Sequence, residues 1–342
     1  MKRLNFSFSV ILLPVLILII TACYKPAREY DGSTGNTAES RESNFENTEN
    51  SPAANIDNSA GNADASNRNI EANVMKEEGN EDLIQIAEGD FRENLNRNLS
   101  RSNLTFGDVM NEANPVERRI LSEYGAVFLT RAMPPAKVMF TSENGVSEFQ
   151  NKAGIGAGRI GGTNIELQPE ALKALEDAIS EAKQQGLKIT PRDGAEAARR
   201  SFDKTLKLWN SRFEPALKHW KSKGRLTDEQ ISDLRKLTVK DQVEEVLELE
   251  KEGIYFNTFF NNSILYSVAA PGTSQHLSML AFDAGEFGDK KVRRIMANHG
   301  WFRTVQNDEP HFTYLGYKES DLPRLGLKKV IKKSGEFWIP KM

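Results

Sequence analysis

The stretch between residues 24 and 90 has a composition that is not expected to pack, and this limits where a fold can be sought. Asn, Ser, Glu, Asp, Ala and Gly dominate it, as in Asn55-Ile56-Asp57-Asn58-Ser59-Ala60-Gly61-Asn62. It carries 5 Lys+Arg against 15 Asp+Glu, a net charge of −10. Low hydrophobicity with excess charge cannot offset the entropy of ordering, so a disordered tether is expected. Its r.m.s. span as a flexible chain is on the order of 45 Å. The chain of 342 residues has a net charge of −3 overall, and residues 91–342 carry +5. That balance gives no case for a nucleic-acid partner.

An apolar run, Val10 to Ile20, precedes the tether and follows Lys2 and Arg3. A basic start, a short apolar stretch and small residues describe a secretory signal rather than a membrane span. The chain has one cysteine, Cys23, which excludes an intramolecular disulfide framework and any multi-cysteine metal site. Ile20-Thr21-Ala22-Cys23 resembles a bacterial lipobox. The resemblance implies a signal peptide over 1–22 and lipidation of Cys23. Tyr24, rather than Asp, follows the cysteine, which is similar to the outer-membrane default of Gram-negative lipoproteins. The expected location is the cell envelope, lipid-anchored at the outer membrane and facing the periplasm.

The expected organisation is the lipidated tether over 23–95, a transition segment over 96–114, and a folded domain over 115–342. Pro169 to Gln185 reads as a helix, with Leu172, Leu175, Ile179 and Ala182 on one face and Gly186 at its end. Further helices are expected over Ala195–Trp209, from Thr227 with Gln230 as a capping box, over Val239–Glu252, and within Phe287–Asn298. Leu187–Thr190, Ser263–Ala269 and Phe312–Leu315 read as strands. Gly154–Gly162 lacks the lysine of a phosphate loop and reads as a turn before a strand. Helices first and strands later, without regular alternation, predict an α+β fold. A small antiparallel sheet would carry the functional site, preceded and flanked by helices.

The chemistry-bearing residues lie in two segments. The first runs from Ala270 to Asp283 and the second from Asn307 to Gly316. A catalytic zinc takes three protein ligands and keeps one position open. His276, Asp283 and His311 supply two imidazoles and a carboxylate. Asp283 follows Leu280-Ala281-Phe282, where an unpaired carboxylate would be costly to bury and a cation would remove the cost. Asp308 and Glu309 offer a general base next to His311.

Ser274-x-His276, Ala281-x-Asp283 and Pro310-His311-Phe312-x-Tyr314-x-Gly316 resemble the pattern of VanY-type D-alanyl-D-alanine carboxypeptidases, within the wider lysostaphin/D-Ala-D-Ala metallopeptidase superfamily. The resemblance is strongest over about 185–316. It implies one zinc on His276, Asp283 and His311, and peptidoglycan stem peptides as substrate. It also implies an arginine for the substrate carboxylate at Arg200, in Arg200-Ser201-Phe202, with Arg192 and Arg199 nearby as competitors. Ser274 matches the motif serine and is expected to support a ligand or the substrate. Three departures stand out. Met279 replaces a glycine, Pro310 replaces a tryptophan, and the catalytic glutamate position is Asp308, with Glu309 one residue out of place. Asp308 is preferred by position.

The function this implies is a zinc-dependent carboxypeptidase. A non-catalytic wall-binding lipoprotein and a cross-bridge endopeptidase are the alternatives. His299 reads as a helix end or an oxyanion donor. His219, Trp301 and Phe337–Pro340 read as packing residues.

Overall fold

The computed structural model describes residues 89–342. Residues 1–88, on which the expected signal peptide, the lipidated Cys23 and most of the expected tether fall, lie outside the described residues. Nine α-helices occur among the described residues. They are α1 (Phe91–Arg101), α2 (Phe106–Val109), α3 (Pro115–Tyr124), α4 (Glu143–Ala153), α5 (Pro169–Gln184), α6 (Phe202–Ser222), α7 (Asp228–Lys236), α8 (Val239–Lys251) and α9 (Lys290–Asn298). Seven short strands among the described residues form three antiparallel sheets. One is a hairpin of β1 (Gly156–Ile160) and β2 (Thr163–Leu167). The second joins β3 (Ala281–Asp283), β4 (Trp301–Phe302) and β5 (His311–Tyr314) in the order β3-β5-β4. The third pairs β6 (Leu327–Lys332) with β7 (Gly335–Pro340). The fold is α+β.

The packed body starts earlier than residue 115. Phe91, Leu95 and Leu99 of α1 are buried in the same core as Leu121, Phe128 and Leu327. The helix was hidden by its polar composition, since only these i, i+4, i+8 positions are apolar. Its two buried asparagines satisfy backbone groups. Asn98 Nδ2 donates to the carbonyls of Phe128 and Thr130, and Asn94 Nδ2 to that of Arg324.

Several expected helices form for the expected reasons. Pro169 opens α5, whose inner face buries Leu172, Leu175 and Ala182. Thr227 and Gln230 close a reciprocal capping box on α7.

Elsewhere tertiary contacts override local pattern. The helix expected from Ala195 instead begins at Phe202, capped by Ser201, and runs through Pro215 to Ser222. Gly194–Ala197 is a separate 3-10 turn. Leu187–Thr190 forms no strand, and one isolated bridge joins Pro191 to Ala284 nearby. Ile264–Tyr266, within the β-prone run, is a 3-10 turn whose first amide donates to the buried Glu250 carboxylate at 2.6 Å. The glycine-rich segment is itself strand β1, and Gly161-Gly162 make the hairpin turn with φ of 57° and 84°.

The three-stranded sheet positions the site. Its outer strand β3 is entirely buried, and Trp301 of β4 packs between Phe282 and Tyr314. Gly300 precedes β4 at φ 78°, and a Cβ there would lie 2.7 Å from Gly316 Cα, so only glycine fits this approach.

Candidate metal centre

Two candidate ligands come from directly opposed residues. Asp283 on β3 pairs with His311 on β5 in the antiparallel register. Opposed residues project to the same face about 4.5–5.5 Å apart at Cβ, so the pairing alone brings carboxylate and imidazole together. The third comes from the 3-10 turn Gln275–Ser278 that leads into β3. His276, Asp283 and His311 are all buried, and one ligand atom from each lies within 4.8 Å of the others. The two imidazole rings stand edge to face with centroids 4.8 Å apart.

Their proton positions follow from their neighbours. His276 Nδ1 lies 2.6 Å from the carbonyl oxygen of Ala198. A carbonyl only accepts, so Nδ1 carries the proton and Nε2 presents a lone pair. Nε2 is buried without a hydrogen-bond partner and faces Asp283 Oδ1 at 3.3 Å. His311 Nε2 lies 2.9 Å from Gln275 Oε1, and its Nδ1 faces the same Asp283 oxygen at 3.2 Å. His311 stands between two acceptors, and with its proton on the side of the shorter contact to Gln275, both imidazoles turn a lone pair toward the Asp283 oxygen. That arrangement suits a cation, and the donor set of two imidazoles and a carboxylate suits zinc. Burial, the dominant effect, lowers the pKa of His276 despite the opposing pull of Asp283, so the ring is neutral and its lone pair available.

The other oxygen of Asp283 is occupied. Oδ2 accepts from Arg200 Nη2 at 2.6 Å, and Arg200 Nε donates to the Glu196 carbonyl. Arg200 therefore orients a candidate ligand. Its Nη1 has no hydrogen-bond partner among the described residues, and the side chain lines the cavity in front of the site. The two competing arginines are engaged elsewhere. Arg199 pairs with Glu166 and Gln150, and Arg192 lies over the Phe287 ring.

The cavity has a volume of about 570 Å³. Thr205, Leu208 and Arg212 of α6 form one wall, Leu265 and Tyr266 another, and His276, His311 and Asp308 the floor and rim. Asp308 Oδ2 is 4.0 Å from His311 Nδ1, whereas Glu309 is exposed and does not line the cavity. The segment is not an extended strand, so the alternation expected from sequence does not apply. The His311 amide donates to the Asp308 carbonyl in a tight turn, which puts Asp308 beside the imidazole. Ser274 also lines the cavity, and its hydroxyl has no hydrogen-bond partner among the described residues.

Met279 explains one departure from the expected motif. It adopts φ 57°, ψ 31°, the left-handed conformation that a glycine takes without cost. Its side chain is fully buried. Left-handed geometry costs roughly 1–2 kcal/mol in an L-residue, while truncating a buried methionine costs about 2–5 kcal/mol. Burial wins, so Met279→Gly is expected to destabilise the protein by about 1–3 kcal/mol in chemical denaturation. A more stable variant would mean that strain dominates.

Sequence reasoning passed over Gln275, which is buried between two motif residues, and the Ala198 carbonyl, a main-chain group with no side-chain signal. A signal for Thr313 existed, because it stands two residues from His311 and so shares its face of the strand. His299 ends α9, and its Nε2 lies 2.8 Å from Glu181 on α5, which ties two helices together. His219 stacks on Phe260.

Comparison with known proteins finds no matching family and no matching curated protein. Two solved structures share a partial likeness. One is VanYB in complex with D-alanine-D-alanine, 16% identical, with a TM-score of 0.29, covering 50% of this chain and 83% of the other. The second is a mutant of the vancomycin-resistance D,D-pentapeptidase VanY, from a VanB-type resistance cassette, in complex with Zn(II). It is 17% identical, with a TM-score of 0.28, covering 49% of this chain and 82% of the other.

Proposed function

We propose that the protein is a zinc-dependent hydrolase of peptidoglycan stem peptides, of the D-Ala-D-Ala carboxypeptidase type, tethered to the cell envelope through a lipidated Cys23. The observation that carries the catalytic part is the convergence of His276 Nε2 and His311 Nδ1 on Asp283 Oδ1, at 3.3 and 3.2 Å. His276, Asp283 and His311 would hold the metal. A bound zinc supplies Lewis acidity, which acidifies solvent and polarises a scissile carbonyl.

The protein's own groups do the rest. Asp308 Oδ2, at the cavity rim, takes the proton of the attacking water and returns it to the leaving amine nitrogen. Arg200 holds Asp283 in place and turns Nη1 to a substrate carboxylate. The Ser274 hydroxyl is open to hydrogen-bond the bound peptide. The lipid anchor would keep the enzyme beside its substrate, and the acidic tether would set its reach.

A second reading, a cross-bridge endopeptidase, is favoured by one observation. The Arg200 guanidinium already pairs with Asp283, so its availability to a terminal carboxylate is reduced. Incubating the full chain and zinc with defined muropeptides, with products identified by mass spectrometry, tests both readings. Release of terminal D-alanine is expected. Arg200→Ala loosens Asp283 for every substrate, but it should lower kcat/KM a further roughly ten- to hundredfold on free-carboxylate peptides relative to blocked ones, the worth of one charge-assisted hydrogen bond. Equal losses on both would mean that Arg200 acts only through Asp283, and internal cleavage of cross-bridged peptides would establish the endopeptidase.

A further inference from the structure

We infer that Gln275 is a positioning residue that sets the tautomer of His311 through a buried, proton-ordered network with Thr304 and Thr313. All four side chains are almost completely buried. The network has one self-consistent set of proton positions. Gln275 Nε2 has two protons to give. One goes to the Tyr124 carbonyl at 2.8 Å and the other to Thr304 Oγ1 at 3.2 Å. The Thr304 hydroxyl is then free to donate to Thr313 Oγ1 at 2.6 Å, and Thr313 donates in turn to Gln275 Oε1. Oε1 is left as an acceptor for His311 Nε2 at 2.9 Å, a shorter contact than the 3.2 Å from Nδ1 to the competing acceptor Asp283 Oδ1, so a ring with one proton carries it on Nε2.

Rotating the amide by half a turn would set its oxygen against the Tyr124 carbonyl, two acceptors face to face in a buried site. It would also lose both donations from Nε2. Unmade buried hydrogen bonds of this kind are costly, so the amide is locked in its observed orientation. The lock passes to the ring. With Nε2 protonated, the His311 lone pair sits on Nδ1, the atom that faces Asp283 Oδ1. His276 is set the same way from the main chain, by the Ala198 carbonyl. One imidazole is thus aimed by a backbone group and the other by a side chain, and only the second can be removed by substitution.

The consequence for metal affinity rests on the zinc reading of the site; the tautomer itself does not. The test therefore has two readouts on the full chain. Histidine is labelled with nitrogen-15, metal is removed by chelation, and ring-nitrogen shifts are read by long-range correlation NMR at about pH 8, where a typical imidazole is neutral. Zn²⁺ affinity is then measured by competition with a chromophoric chelator. His311 is expected to be the Nε2–H tautomer in the wild type. In Gln275→Leu, His311 should shift towards a mixture of tautomers, and zinc affinity should fall about 10–100-fold, as for other partners of metal-ligating histidines. Thr313→Val removes the hydroxyl that braces Oε1 and gives a milder perturbation should Gln275→Leu fold poorly; it should shift the tautomer in the same direction. A wild type with Nδ1 protonated on His311, or shifts unchanged in both Gln275→Leu and Thr313→Val, overturns the inference. A wild type with the expected tautomer and no zinc uptake contradicts the metal reading and leaves the network standing.

Discussion

His276→Ala is expected to abolish stoichiometric zinc binding and, with it, hydrolysis. The imidazole supplies one of three converging ligand atoms, and its Nε2 is buried with no other partner. The loss should exceed the 10–100-fold contributed by groups that only support a ligand. It should also be visible in stability. A metal present at about a thousandfold excess over its Kd stabilises the folded state by about 4 kcal/mol. In a body of this size that is a shift in Tm on the order of 10 °C. Wild-type protein should therefore lose thermal stability on chelation, and His276→Ala should be insensitive to the chelator. His299→Ala, at the α9–α5 contact, should leave zinc content unchanged. Equal zinc content in wild type and His276→Ala, by elemental analysis, would remove the site from consideration.

The second large effect separates binding from chemistry. Asp308→Asn should keep zinc and lower kcat by about 10²–10⁴-fold, the usual contribution of a positioned general base. The same change at Glu309 should have little effect, because that side chain is exposed and stands outside the cavity. Asp308→Glu, one methylene longer, should retain activity. Steady-state kinetics on D-Ala-D-Ala-ended stem peptides reads all three. A large loss in Glu309→Gln with none in Asp308→Asn would reverse the assignment.

Much of the fold was legible where local signals agree with tertiary structure. Pro169, Thr227 and Gln230 mark helix starts, and the apolar stripe of α5 faces the core as its spacing requires. Legibility failed where a long-range contact decides the outcome. Ser263–Ala269 has the composition of a strand, but Glu250 captures the Ile264 amide and the chain turns. Helix α1 is nearly all polar, yet three apolar residues on one face and two asparagines that serve distant carbonyls draw it into the core.

The site divides in the same way. Residue types made His276, Asp283 and His311 candidates and the motif resemblance selected them, and the β3–β5 register supplies the reason that a separation of 28 residues becomes contact. The pairing of Arg200 with Asp283 was not readable, since it depends on the non-helical segment between Ala197 and Phe202. The role of Gln275 was hidden because an amide flanked by motif residues looks like any other polar residue until its four partners are known.

X-ray absorption at the zinc edge, on the full chain loaded with one equivalent of zinc, tests the central claim most directly. The account predicts two imidazole nitrogens at about 2.0–2.1 Å and a carboxylate oxygen at about 2.0–2.2 Å, a signature that disappears in His276→Ala and His311→Ala, where the added zinc is no longer held. A zinc surrounded only by oxygen, or one whose spectrum is the same in wild type and both variants, would contradict it.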